Sequence, residues 1–127
     1  MIRIFFKRVR RKKRKPLNQV DYLKNKEKAR EIIISRLKYF TDLYNISHGR
    51  VSIRNQRTRW GSCSRLGNLN FNYRLLTLHP KLRDYVIVHE ICHLKEFNHG
   101  KRFWAEVAKT IPDYKEIRRE LKKIRMT

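Results

Sequence analysis

Val86-Ile87-Val88-His89-Glu90-Ile91-Cys92-His93-Leu94 is the stretch that decides how this chain folds. No Gly or Pro interrupts residues 81–97, and Pro80 stands at a natural helix start. Val86, Ile87, Val88, Ile91, Cys92 and Leu94 are apolar almost all round the helix, so the segment reads as a buried one. Two imidazoles and a carboxylate inside such a helix need a reason to be there. Residues four apart are rotated by about 40° and raised by about 6 Å, so His89 and His93 face one way and can share one ion. Zinc takes such nitrogens at about 2.0–2.1 Å and needs further ligands to complete a tetrahedron. Glu90, beside the first His, is held near the open coordination position, where a carboxylate can take a proton from metal-bound water.

Chance does not supply this pattern easily. With five His in 127 residues, an accidental HExxH is expected about 0.01 times, and one with another His ten residues after the first far less often. That further His is His99. On a continuous helix it would point away from the ion, so the helix must break first. The metzincin pattern has Gly seven residues after the first His, where this chain has Glu96. Asn98 tolerates a left-handed conformation and Gly100 follows, so a turn at Phe97-Asn98 is expected to return His99 to the ion. Glu106 and Glu116, on the helices that follow, are the alternative third ligands, in the manner of a carboxylate-ligated zinc.

Outward from this helix, apolar residues recur at helical spacing from Asp21 to Tyr44: Ala29, Ile33, Leu37, Phe40 and Tyr44. Asn45 and His48-Gly49 close that first helix. Val51–Arg54, Arg59–Ser64 and Leu69–Tyr73 read as three short strands of a small antiparallel sheet, with Gly67-Asn68 turning between the last two. Further helices are expected from near Gly100 and from Pro112 to Arg125. The fold class is therefore α+β, a small sheet packed on the buried HExxH helix with flanking helices.

The chain carries 33 Lys and Arg against 11 acidic residues, a net charge of +22. Nine of the basic residues lie in residues 1–15, so the remainder still carries +13. Residues 8–15 are basic at every position except Val9. Residues 1–19 are read as a flexible basic segment and residues 20–127 as the folded domain. So positive a surface attracts polyanions, and association with DNA, RNA or the ribosome through residues 8–15 is the expected partner class beyond the substrate. Two Cys exclude a disulfide framework, and no apolar run approaches the roughly 20 residues of a membrane span. No signal-peptide core is visible, so the expected location is cytoplasmic.

Arg59-Trp60-Gly61-Ser62-Cys63-Ser64, then Gly67, Leu69, Asn72, Leu75 and Pro80, then VIVHEICHLKEFNHGKRFW together resemble the YgjP-like metallopeptidase family, a relative of the SprT-like proteases. The resemblance runs from about Lys28 to the C-terminus. It implies a zincin-like fold, one zinc ion on His89, His93 and His99, Glu90 as the catalytic residue, and a peptide or protein substrate. It makes Asn98-His99 and Phe103-Trp104 part of the same signature. Members of the family carry more sequence, largely β, before the first helix, where this chain has about 20 mostly basic residues. The same family name also carries a nucleotide pyrophosphatase activity, which keeps phosphoanhydride hydrolysis as an alternative. A nucleic-acid-associated module with a non-catalytic zinc is the other; a phosphate-cradling loop is not visible in a chain with four Gly.

The remaining candidates are weaker by chemistry. Trp60 and Cys63 precede a hairpin and read either as core or as the rim of the cleft. Asn70 and Asn72 share a strand face and offer a polar surface to an extended peptide, with Asn72 the better candidate because the resemblance includes it. Tyr73, Arg74 and Tyr114 are candidates for stabilising a developing oxyanion, and Trp60, Asn72 and Arg74 form the expected substrate-contact set. Cys92 points the wrong way for the ion its neighbours share and reads as packing. Trp104 reads as a wall supporting His99.

Overall fold

The computed structural model describes residues 2–5 and 17–126, with side chains from residue 20 onward. The basic run at 8–15, with its expected polyanion contacts, lies outside the described residues. In order along the chain come β1 (Ile2–Phe5), α1 (Leu17–Tyr44), β2 (Val51–Arg54), β3 (Arg59–Cys63), β4 (Leu69–Asn72), a 3₁₀ turn (Tyr73–Thr77), α2 (Pro80–Lys95), α3 (Lys101–Thr110) and α4 (Tyr114–Lys123). The α+β class holds. None of these helices is long and apolar enough to cross a membrane.

The sheet departs from a purely antiparallel meander. Its strand order is β1-β3-β4-β2, with β3 antiparallel to both β1 and β4 but β2 parallel to β4. Alternation along Leu69–Asn72 tells which residues share a face, but not which strand lies beside which. Strand β4 takes an inner place, where Leu69 and Phe71 are fully buried. Strand β2, half-exposed, is left at the edge. Residues 2–5 pair along β3, with Ile4 opposite Gly61. The sheet thus takes in residues placed by sequence in a flexible segment, and α1 starts ahead of the expected boundary at residue 20.

Helix α1 buries Ala29, Ile33, Leu37 and Phe40, the spacing of one helical stripe. It ends where Asn45 adopts a left-handed φ of 52° and the Ile46 N–H reaches back to the Thr41 carbonyl at 3.0 Å, as expected of a residue that tolerates that region. Two polar ties lock α1 in place: Arg36 grips Asp84 of α2 with two bonds of 3.0 Å, and the Tyr73 hydroxyl donates to Asp21 at 2.9 Å. Helix α2 starts at Pro80 beneath a His79 cap, whose Nδ1 accepts from the Lys81 N–H at 3.1 Å. It packs against α1, β3, α3 and α4, which explains why Tyr85 to His93 are buried without a break. The whole fold thus wraps the segment that carries the two helix histidines.

Candidate metal centre

Helix α2 delivers His89 and His93 one turn apart, both almost wholly buried. The chain leaves the helix at Glu96, whose backbone is extended (φ −129°, ψ 102°) and whose N–H still caps the Cys92 carbonyl. The expected left-handed turn at Asn98 does not occur: among the described non-glycine residues only Asn45 has a positive φ. The chain is non-helical from Glu96 to Gly100. It bends at residues 98–100, where the Gly100 N–H donates to the Asn98 carbonyl at 2.8 Å, and this ends the helical rotation that would have carried His99 away. His99 returns beside its two partners, exposed on one side, just before Gly100 caps α3.

The three Nε2 atoms converge. His99 Nε2 lies 2.9 Å from His93 Nε2 and 3.3 Å from His89 Nε2. Two nitrogens on a tetrahedral zinc with bonds of about 2.0–2.1 Å sit about 3.3–3.4 Å apart, so the cluster has the span of a ligand set around one ion. Three unprotonated imidazole nitrogens pointed at one another repel unless a cation lies between them. Their protonated forms are disfavoured: burial and mutual proximity hold His89 well below its ordinary range, burial holds His93 down at about 3, and burial lowers His99. His93 Nδ1 lies 3.2 Å from the Glu96 carbonyl. A proton there, donated to that carbonyl, leaves Nε2 its lone pair and fixes the direction in which the ring points. These residues fit a metal ion, and no other group of three or more potential ligands is found among the described residues.

Aromatic rings hold the histidines in position. Phe103, fully buried, lies under all three at centroid distances of 4.3–4.9 Å. Trp104 stacks on His99 at 5.8 Å and 21°, the supporting wall expected of it, and Tyr114 stacks on Trp104 at 4.9 Å.

Glu90 lies on the sheet side of the cluster and is fully buried. Neither of its oxygens has a hydrogen-bond partner, and although Oε2 comes within 3.4 Å of His89 Nδ1, the two are not aligned as a bond. Burial pushes this carboxyl well above the usual range, with Arg59 opposing. A carboxylate so placed has raised basicity and an unmet need for a proton. It fits here because β3 has Gly61 opposite: a Cβ at that position would come within 3.3 Å of both Glu90 Cγ and Oε2.

Other expected contacts go elsewhere. Glu106 pairs with Lys95 and Lys109, which lower its carboxyl, and Glu116 is exposed on α4; neither joins the histidines. Asn72 is buried, donating to the carbonyls of Gln56 at 2.5 Å and Arg59 at 3.1 Å while capping the Arg74 N–H. It holds the loop between β2 and β3, and since β4 is an inner strand it offers no free edge to a peptide. Trp60 is core. Arg74 is buried on Asn55 and Gln56, and the Tyr73 hydroxyl faces Asp21. For Asn72 and Arg74 the placement has one cause: the polar side chains of β4 and the following turn meet buried backbone groups that need partners. Cys63 and Cys92 are buried thiols pushed up to about 12 by burial. Gly61 and Arg118, which lies over the Trp104 ring at 4.6 Å, are the site residues that spacing did not reveal. A glycine inside an otherwise regular strand was the available signal for the first.

Comparison with known proteins agrees with this geometry. The model of the YgjP-like metallopeptidase domain matches residues 3–124. Among solved structures the chain is similar to the metallopeptidase zymogen abylysin of Pyrococcus abyssi, with a TM-score of 0.61 and 27% identity over 67% of this chain and 87% of that one. It shares the fold of the zymogen jannalysin of Methanocaldococcus jannaschii, with a TM-score of 0.61 and 24% identity over 69% of this chain and 91% of that one. No curated protein matches. With a buried helix carrying two histidines, a third returned beside them by the following loop and a metallopeptidase match along nearly its whole length, this chain belongs to the YgjP-like metallopeptidase family.

Proposed function

We propose that the protein is a zinc peptidase that binds one ion through His89, His93 and His99 and uses Glu90 as general base. The observation that carries this reading is the convergence of three Nε2 atoms beside a buried carboxylate with no hydrogen-bond partner. Three imidazoles suit zinc and leave a fourth position open. A zinc ion bound there supplies Lewis acidity, polarising the scissile carbonyl and lowering the pKa of water toward about 7. Glu90 accepts the proton of the attacking water and, its conjugate acid being stable in so dry a pocket, passes it to the departing amine. His93, oriented by the Glu96 carbonyl, and His99, backed by Trp104, hold the ion's geometry during the step. The metallopeptidase names of the family and of the structural neighbours support peptide or protein as the substrate.

Metal analysis and turnover on casein test this reading together. Wild type is expected to bind one zinc per chain and to cleave. Glu90→Gln keeps the zinc and loses about 10²–10⁴-fold in kcat, whereas His99→Ala and His93→Ala lose zinc and activity. Equal turnover by wild type and Glu90→Gln would refute the assignment of the base.

A further inference from the structure

A cavity of about 350 Å³ lies beside His93, where the end of α2 meets the hairpin between β3 and β4. Its wall includes His93, Lys95 and Phe97 from the end of α2 and the residues after it, Ser64 and Arg65 from the hairpin, and Ser47; it holds no Asp or Glu. Arg65 is exposed, and its guanidinium lies 4.3 Å from the centre of the Phe97 ring, which in turn lies 6.3 Å from that of His93. No carboxylate pairs with Arg65 among the described residues. Lys95 differs, since Glu106 meets it at 3.4 Å while also taking Lys109 at 2.9 Å. The Ser64 hydroxyl oxygen accepts from the Asn68 N–H at 3.1 Å, which leaves its own proton to give.

So lined, the cavity offers an occupant positive charge with N–H and O–H donors. An apolar side chain there would strip water from the guanidinium and give nothing back, and a Lys or Arg would be repelled. A carboxylate matches the wall, because Arg presents a planar fork of donors that suits its two oxygens. The Phe97 ring steadies the guanidinium, so little freedom is lost when that fork is engaged. An extended peptide advances about 3.3 Å per residue. With Phe97 spanning the interval from His93 to the guanidinium, a side chain roughly one to three residues from the scissile bond can reach Arg65. We propose that this cavity is a specificity subsite in which Arg65 receives an Asp or Glu side chain of the substrate, close to the bond that is cut. The proposal rests on the peptidase reading above.

The zinc-loaded full chain tests it as wild type, Arg65→Gln, Arg65→Lys and Arg65→Glu, each checked for zinc content and melting temperature. Mass spectrometry of casein digests reads the residues around every bond cut. For wild type, Asp and Glu are expected to be enriched about tenfold over their frequency in casein, at one position within three residues of the bond. Arg65→Gln flattens that enrichment, Arg65→Lys keeps part of it, and Arg65→Glu replaces it with Lys and Arg. No acidic enrichment in wild type, or one that persists in Arg65→Gln, would overturn the proposal. So would acidic residues favoured alike at every position, which is the pull of the +22 charge rather than of a subsite. A loss of zinc in Arg65→Gln would overturn it too, by making the arginine a support for Phe97 and His93. If casein is not cleaved, the peptidase reading fails by itself, and binding decides for the cavity. End-blocked alanine octapeptides with one central Glu or Gln are then titrated against wild type and Arg65→Gln. Tighter binding of the Glu peptide by about tenfold, lost in Arg65→Gln, upholds an acidic-side-chain site, and equal affinities refute it.

Discussion

Gly61→Ala perturbs the Glu90 pocket while leaving every ionisable group in place. A Cβ at residue 61 would lie 3.2 Å from the Asn70 carbonyl oxygen and 3.3 Å from Glu90 Cγ and Oε2, inside ordinary van der Waals contact. Neither neighbour yields freely. The Asn70 carbonyl belongs to the β3–β4 ladder, in which Ser62 faces Asn70 and Gly61 faces Phe71, and the Glu90 side chain is enclosed on all sides. Overpacking of this kind costs about 1–3 kcal/mol, which for a domain of this size lowers Tm by about 3–12 °C. The easier motion is a swing of the carboxylate away from β3, and a displacement approaching 1 Å at a reacting group costs about 10²-fold in rate. No histidine atom is among the three nearest to a Cβ at residue 61, so on the proposed reading zinc content is expected to stay at one per chain. Scanning fluorimetry, metal analysis and casein turnover measure the three quantities on one preparation. A variant that melts within 1 °C of wild type and turns over at the same rate would refute the claim that Gly61 sets the position of Glu90.

Three further outcomes follow from the same geometry. Burial raises the Glu90 carboxyl, so the folded state favours its protonated form, and ionisation above the ordinary carboxyl value near 4.5 erodes stability as pH rises. Metal-free Glu90→Gln should therefore melt above wild type at pH 8, with the gap closing toward pH 5; parallel melting curves would count against it. His93 has the opposite sign: its folded value is depressed to about 3 from 6.5, so the stability it lends metal-free protein is full above about pH 6.5 and is lost as pH falls toward 3, visible as an acid limb in urea titrations that His93→Gln removes. Asn72→Ala leaves the Gln56 and Arg59 carbonyls and the Arg74 N–H short of partners, and should cost about 2–4 kcal/mol in urea unfolding with zinc affinity unchanged.

How much was legible in the sequence differs from element to element. The HExxH helix was readable because its information is local: four-residue spacing sets both imidazoles on one face whatever surrounds the helix. So were the stops at Asn45 and Gly67, where residues that tolerate positive φ stand between periodic segments. The sheet was legible as strands but not as an order, because pairing is a contact between distant segments and alternation is the same in either arrangement. The polar residues of β4 misled for a related reason. Asn72 on an exposed edge and Asn72 capping buried backbone have the same sequence, and only the strand's central place decides between them.

By itself the sequence determined the pair His89 and His93, the carboxylate between them, and a family-specific context for the tryptophan-glycine strand and the third histidine. Only the tertiary structure decided that His99 returns beside the other two histidines through an extended Glu96 and a bend at residues 98–100 without a left-handed Asn98, since a loop's path depends on what α3 must pack against. It also decided that Glu90 is enclosed under Gly61 and that Arg118 stands by Trp104. Both depend on contacts between elements 14 to 29 positions apart along the chain, beyond the reach of any helical or strand period.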